Sequence, residues 1–203
     1  LMMTDWLTCA CATHVIPEGQ GVLNDLKNGG ITKKPMKVLG YGNVKGVDME
    51  RFSPARFVVT KNPDVFTFVF VGRIVSDKGI NELVEAFVKL HDKHKNTRLV
   101  LVGNYEHNLD PVSDKTRQLI DTNDGIEACG AKYGDDLLQM YVDADCFVMP
   151  SYREGFPNTV LEAGAMGLPS IVTDINGSRE IIENEKNGLI VPAKDADALY
   201  VAM

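Results

Sequence analysis

From residue 65 onward, the chain alternates short apolar runs with amphipathic stretches. Residues 65–71 are almost continuously apolar and are followed by Gly72, a pattern typical of a parallel strand buried on both faces. In residues 80–90, apolar side chains recur at helical spacing with charged side chains on the opposite face. This second pattern predicts an amphipathic helix of about three turns.

The same alternation continues toward the end of the chain. It predicts further strands at residues 99–102, 126–129, 146–149, 170–173 and 189–191. It predicts further helices at residues 113–122, 135–142, 158–166 and 178–183. Strands and helices in strict succession predict an α/β fold, a doubly wound, Rossmann-like parallel sheet with helices on both faces.

The first 60 residues have a different pattern. Residues 14–17 and 37–39 read as strands and residues 19–27 as a helix, followed by the glycine-rich segment 40–46. A glycine-rich connector between two strand–helix systems is typical of an interdomain hinge. We therefore expect residues 1–50 to be the remnant of one domain with its hinge, and residues 51–203 to form a second domain.

Both ends of the chain read as truncations. The chain starts at Leu1 without an initiator methionine, and residues 197–203 stop inside a helical pattern with no capping glycine or proline. We therefore expect the first domain to be largely missing and the second domain to be truncated at its C-terminus.

The composition narrows the class of protein. With 44% hydrophobic and 24% charged residues, it excludes disordered and fibrous chains. The net charge of −7 gives no overall attraction to nucleic acid, so no nucleic-acid partner is expected. Charge is uneven, with 7 basic and 5 acidic residues in positions 1–60 against 14 and 23 in the rest. The four cysteines show no paired spacing, which argues against zinc and favours a reducing, cytoplasmic compartment.

Candidate ligand-binding residues follow the first strong strand. Ligands of open parallel sheets bind at the carboxyl ends of the strands. Here Gly72 and Arg73 follow the strand, and Lys78 and Gly79 precede the next helix. Two cations at a helix N-terminus favour a diphosphate. An ordinary surface loop with two solvated charges carries the same pattern, so this alternative stays open for the loop alone.

A second polar segment follows the strand at 146–149. Glu154 lies in the turn at the carboxyl end of this strand, and Glu162 lies in the next helix. A helical carboxylate can accept hydrogen bonds from a vicinal diol such as ribose, and a turn carboxylate can contact a sugar ring. On spacing alone, a capping interaction beside a solvated side chain is the simpler explanation, so this alternative stays open.

The motifs form an ordered set along the chain. They are Gly72-Arg73, Lys78-Gly79, residues 99–103, residues 141–151, residues 154–157, Glu162-Ala163, residues 167–169 and Asn187-Gly188, with residues 15–17 and 46–54 upstream. In order, spacing and strand context this set resembles the GT-B glycosyltransferases of family 4. The resemblance implies that residues 51–203 are the nucleotide-sugar (donor) binding domain and that residues 1–50 end an N-terminal acceptor domain.

The resemblance also implies a role for each matching residue. Arg73 and Lys78 would bind the donor diphosphate and stabilise the departing nucleoside diphosphate in place of a metal ion. Glu154 would contact the transferred sugar, so these three would be the catalytic residues. Glu162 would hold the ribose hydroxyls. The other donor-binding residues would be Gly72, Gly155, Phe156, Pro157, Asn158 and Thr159.

The implied activity is that of a retaining, hexosyl-type glycosyltransferase in bacterial surface polysaccharide biosynthesis. The donor would be a UDP- or GDP-linked sugar, and no metal or other cofactor is expected. The missing N-terminal domain would bind a glycan or lipid-linked acceptor and would mediate any peripheral association with the inner face of the membrane. The protein would be cytoplasmic, and the chain alone would be inactive.

Two other functions stay open. One is a nucleotide-responsive binding or assembly module without transferase activity. This alternative stays open because a transferase site needs two facing domains, and this chain is expected to contain mainly one. The other is a GT-B nucleotide-sugar epimerase.

The pair Asp143 and Asp145 matches a metal-binding pattern of the other large glycosyltransferase class. Its place at the sheet end away from the ligand crevice favours a structural role. Selectivity for the base and sugar is expected around residues 129–132 and 153–156.

Overall fold

The structure is a computed structural model that describes residues 2–43, 45–106 and 108–203. Val44, in the predicted hinge, lies outside the described residues. The helices of the described part are α1 (Met2–Cys11), α2 (Gln20–Asn28), α3 (Ile80–Lys93), α4 (Asp114–Thr122), α5 (Gly134–Val142), α6 (Asn158–Ala165), α7 (Ser178–Ile181) and α8 (Ala196–Ala202). Its strands are β1 (Phe66–Val71), β2 (Thr97–Val102), β3 (Ile126–Ala128), β4 (Cys146–Met149), β5 (Ser170–Thr173) and β6 (Gly188–Val191).

These strands form one parallel sheet in the order β3-β2-β1-β4-β5-β6. The chain runs outward from β1 to β3 and then returns to add β4 on the other side of β1. Because the direction of winding reverses there, the loops after β1 and β4 diverge and leave a crevice at the carboxyl ends of these strands. The predicted doubly wound parallel sheet is confirmed, and each element predicted after residue 65 lies within three residues of its expected bounds.

The apolar run of β1 serves two hydrophobic cores because successive side chains of a strand point to opposite faces. Phe68 and Phe70 belong to the core that contains Phe87 of α3. Val69 belongs to the core on the other face, with Leu138 of α5. Burial on both faces explains why this strand has no polar alternation in the sequence.

The residues before β1 form less regular structure than predicted. The strands expected at 14–17 and 37–39 are represented in the described residues by a single parallel bridge between Val15 and Met36. An isolated strand pair is marginal, and the described part of the chain supplies no third strand beside it. Phe52 is buried in the same core as Val69. The domain division between residues 50 and 51 stays a prediction.

Within the part of the chain that the structure describes, no helix has the length and apolar character needed to cross a membrane.

Gly79 sets how closely the turn after β1 approaches the end of β4. Its φ of +70° is in the left-handed region, and a Cβ there would lie 2.1 Å from the carbonyl oxygen of Pro150. Both conditions require glycine. The close approach brings Lys78, just before Gly79, toward the loop that carries Glu154.

We expect Gly79→Ala to lower the free energy of unfolding by about 3 kcal/mol, because it adds a steric clash to backbone strain. Gly130→Ala is the matched control, since Gly130 has the same φ of +70° with nothing within 4 Å of a Cβ. The control should cost about 1 kcal/mol, from backbone strain alone. Urea denaturation measures both, and equal losses would contradict the importance of the contact with Pro150.

Candidate functional site

The turn after β1 and the loop after β4 are joined by an ion pair. Lys78 Nζ lies 2.5 Å from Glu154 Oε1, and the two side chains are only 19% and 16% exposed. The backbone N–H of Tyr152 also donates to the Asp77 carbonyl oxygen at 2.8 Å. Two predicted site residues that are far apart in the sequence are therefore in direct contact, and both are largely shielded from water.

A cavity of about 350 Å³ lies beside this ion pair, at the carboxyl ends of β1 and β4. Eight of the ten predicted site residues line it, namely Gly72, Arg73, Lys78, Glu154, Phe156, Pro157, Asn158 and Thr159. Phe70, Val71 and Met149 complete the lining. The structure thus brings most of the predicted residues together at the point where doubly wound sheets bind ligands. Their role in donor binding stays a prediction.

The start of α6 forms part of the cavity wall. α6 begins at Asn158, and Asn158 and Thr159 both line the cavity. The N–H groups of a first helical turn have no partners within the helix, and they carry partial positive charge. The Asn43 side chain donates from Nδ2 to Asn158 Oδ1 at 2.6 Å. The segment before β1 therefore contacts the helix N-terminus at the site.

Arg73 stands between this cavity and a second one of about 260 Å³ on the β2 side. The Arg73 guanidinium lies 3.2 Å from Glu106 Oε2, and its side chain is 53% exposed. Ala131 and Lys132, in one of the two segments predicted to select the base and the sugar, line the second cavity. The sequence did not single out Glu106, which follows β2 and has no motif around it. Both predicted diphosphate cations are thus paired with carboxylates.

Glu162, the predicted ribose ligand, lies outside the lining of these two cavities. The Tyr141 hydroxyl donates to Glu162 Oε2 at 3.2 Å. Desolvation by burial raises the pKa of Glu162, although the bond from Tyr141 and the charges of Lys45 and Arg51 oppose this rise. Burial, and then the neighbouring carboxylate, also raise the Tyr141 pKa well above its usual value. Tyr141 is therefore a stable hydrogen-bond donor to Glu162.

Gly155, the remaining predicted site residue, lies in the loop between the ion pair and α6. A Cβ at Gly155 would lie 2.8 Å from Glu18 Oε2. Gly155 therefore contacts the segment before β1, and it is not among the residues that line the larger cavity.

Asp143 and Asp145 bind backbone groups, as the sequence predicted for a structural pair. Asp143 accepts from the N–H of Thr60 and Lys61. Asp145 accepts from the N–H of Thr67 at 2.9 Å and pairs with the Lys61 ammonium. Burial opposes ionisation of Asp143, but its hydrogen bonds outweigh this effect and lower its pKa. No group of three or more His, Cys, Asp or Glu side chains suited to a metal ion occurs in residues 2–43, 45–106 and 108–203.

We expect Tyr141→Phe to raise the pKa of Glu162 further, because it removes the hydrogen bond that stabilises the carboxylate. Carbon-detected NMR titration of the glutamate carboxyl groups measures this change. Tyr133→Phe, at a tyrosine that is 77% exposed, serves as the control. An unchanged or lowered Glu162 pKa in Tyr141→Phe would contradict the hydrogen bond.

The strand order, the crevice beside β1 and the cations at its rim define a doubly wound domain of the kind found in GT-B glycosyltransferases. The family model described as glycosyl transferases group 1 matches residues 52–203. The chain therefore belongs to the glycosyl transferases group 1 family, and the resemblance to family 4 is confirmed.

Individual relatives agree with this assignment. The capsular polysaccharide biosynthesis glycosyltransferase CapM of Staphylococcus aureus is 28% identical over 205 residues, which cover 98% of this chain and 53% of CapM. The N,N'-diacetylbacillosaminyl-diphospho-undecaprenol alpha-1,3-N-acetylgalactosaminyltransferase of Campylobacter jejuni is 32% identical over 165 residues, which cover 76% of this chain and 41% of the relative. The chain thus spans about half the length of these curated relatives.

A solved structure agrees on the fold. Anabaena Alr3699/HepE in complex with UDP and glucose has a TM-score of 0.81 to this chain at 18% identity. The match covers 99% of this chain and 56% of the other. At this identity the likeness shows the fold alone, and the predicted Rossmann-like fold is confirmed.

Proposed function

We propose that the protein is a retaining glycosyltransferase that transfers a hexosyl group from a UDP- or GDP-linked sugar. The acceptor would be a glycan or a lipid-linked glycan in the biosynthesis of a bacterial surface polysaccharide. The observation that carries this proposal is the cavity between β1 and β4, where Arg73, Lys78, Glu154 and the start of α6 converge. The names of the relatives support the pathway, since CapM acts in capsule biosynthesis and the Campylobacter enzyme carries a diphospho-undecaprenol substrate in its name.

A nucleoside diphosphate matches the chemistry of the cavity wall. Arg73 supplies a planar group of N–H donors, Lys78 supplies a compact charge, and α6 supplies backbone N–H groups. Negative charge develops on the diphosphate when its bond to the sugar breaks. Fixed cations and helix dipoles beside that charge would stabilise the transition state, and we propose that they do so without a metal ion.

The ion pair between Lys78 and Glu154 gives the donor a defined entry step. A donor phosphate would replace the Glu154 carboxylate at the Lys78 ammonium. Glu154 would then be free to accept hydrogen bonds from hydroxyls of the transferred sugar. Because both side chains already line the cavity, neither has to move in from solvent when the donor binds.

The other parts of the donor would occupy the neighbouring surfaces. The base would lie in the second cavity, on the far side of Arg73. We propose that the ribose hydroxyls reach Glu162, whose carboxylate is oriented by Tyr141. Support for the donor class comes from the Anabaena neighbour, which was solved with UDP and glucose.

The acceptor would approach from the side of residues 18–43, which contact the loop after β4. Its hydroxyl would attack the sugar on the face from which the diphosphate leaves, with the leaving phosphate accepting the proton. This geometry would retain the anomeric configuration. A cytoplasmic location, contact with the membrane face and inactivity of the chain alone stay predictions.

We expect Arg73→Ala to weaken the binding of UDP or GDP about 10- to 100-fold, because hydrogen bonds to charged groups contribute about 1.5–3 kcal/mol each. Isothermal titration calorimetry measures this loss. Arg98→Ala is the matched control, because Arg98 is 52% exposed and also pairs with a glutamate, Glu127, but lies near the start of β2. Equal affinity of the Arg73→Ala variant and the unchanged chain would refute the diphosphate site.

We expect the intact protein, with water as a slow acceptor, to release the sugar in the anomeric configuration of the donor. Proton NMR before mutarotation identifies the first anomer formed, and EDTA should leave the rate unchanged. An inverted anomer would exclude retention. An epimerised donor formed without acceptor would instead favour the epimerase alternative.

A further inference from the structure

The carboxylate of Glu180 binds two helix starts that are far apart in the sequence. It accepts from the N–H of Gln20 at 2.6 Å and from the N–H of Gly21 at 2.9 Å, both in the first turn of α2. It also accepts from the N–H of Gly177, just before α7, at 3.3 Å. One side chain therefore joins the segment before β1 to the loop after β5.

This contact supplies the cap that α2 lacks in its own sequence. The first N–H groups of a helix need acceptors from outside the helix, and they favour negative charge. Gly19 stands at the N-cap position of α2 and carries no side chain that could accept. Glu180, a residue of α7, supplies this acceptor instead. Hydrogen bonds to an ionised acceptor are stronger than neutral ones.

Glycines allow the backbones around Glu180 to approach closely. A Cβ at Gly19 would lie 2.9 Å from the Glu180 carboxylate and 3.0 Å from the Phe156 ring. A Cβ at Gly177 would lie 2.5 Å from the carbonyl oxygen of Gly155. The start of α2, the turn before α7 and residues 155–156 therefore pack directly on one another.

The same segments are connected by two further hydrogen bonds. Asn176 donates from Nδ2 to Asp25 Oδ2 of α2 at 2.6 Å. Asn43 donates to Asn158 at the start of α6, also at 2.6 Å. The Glu180 contact therefore belongs to an interface between the segment before β1 and the loop after β4, which lines the cavity.

We propose that Glu180 is a positioning residue of the donor site. By holding α2 and the turn before α7 against residues 155–156, it fixes the loop between the Lys78–Glu154 ion pair and α6. The loss of this carboxylate would loosen Glu154, which we assign to the sugar, more than Arg73, which lies two residues after the end of β1 and outside this interface. The assignment of Glu154 to the sugar and of Arg73 to the diphosphate rests on the proposed function.

The test compares the affinity for a nucleotide sugar with the affinity for its nucleoside diphosphate. Calorimetry with UDP-glucose and UDP, and with GDP-mannose and GDP, gives this ratio for each variant. Glu180→Ala should lower the ratio of the nucleotide-sugar affinity to the nucleoside diphosphate affinity about tenfold, which is a typical coupling between two sites. The affinity for the nucleoside diphosphate itself should change less than about twofold. Glu180→Gln should have a smaller effect, because its carbonyl oxygen still accepts from Gly21 and Gly177.

Glu183→Gln is the matched control. Glu183 is an exposed glutamate just after α7 whose carboxylate pairs with Lys186, so its replacement should leave both affinities unchanged. Hydrogen exchange of the ligand-free chain adds a readout that needs no donor. In Glu180→Ala, the amides of Gln20, Gly21, Gly155, Phe156, Asn158 and Thr159 should exchange faster. In Glu180→Gln, the Gln20 amide should exchange faster and the Gly21 amide should change less, while in both variants the amides of β1 and β2 should not change.

Each outcome decides a separate question. An unchanged affinity ratio together with unchanged exchange at 155–159 overturns the positioning role. An equal loss of affinity for both ligands, with faster exchange throughout the sheet, also overturns it, because Glu180 would then serve only general stability. If the unchanged chain binds neither ligand, the proposed function fails, and the exchange data alone decide whether Glu180 positions the loop.

Discussion

The pairing of β1 with β4 is the constraint on which the site depends. The two strands are distant in the sequence, and two residue pairs align them in the sheet. Gly79 then allows the turn after β1 to contact the end of β4 without a side chain in between. Because of this contact, Lys78 and Glu154 meet and the cavity has two opposing walls. A strand order that separated β1 from β4 would leave the same residues on unrelated loops.

Most of the fold could be predicted from the sequence because the sheet is buried on both faces. In β1 even the one polar side chain, Thr67, is buried, and such nearly continuous apolar runs in alternation with amphipathic helices leave few other architectures. The segments at 14–17 and 37–39 are predicted as strands but form only a single bridge, for the converse reason. Ile16 is 57% exposed, and a short apolar run forms a regular strand only when partner strands are present to bond with it.

The site was partly predictable for a similar reason. Gly72, Arg73, Lys78 and Glu154 lie in the connections that follow β1 and β4, and the topology brings such positions together. Glu106, Tyr141 and Glu180 could not be identified in this way. Tyr141 looks like a core residue, and only its neighbour Glu162 gives its hydroxyl a role. Glu180 acts on α2 across about 160 residues of sequence, a contact that leaves no local pattern.

The two predicted site cations, Arg73 and Lys78, are each paired with a carboxylate, so in the proposed function an anion that binds them would exchange with an internal acidic group. An entering anion must displace a group that already carries one negative charge at each cation. A singly charged anion, such as chloride, gains little electrostatic energy from that exchange. A diphosphate bears more charge and can engage both cations at once. In the proposed function, the internal carboxylates would therefore select ligands by charge, even in a strongly acidic part of the chain.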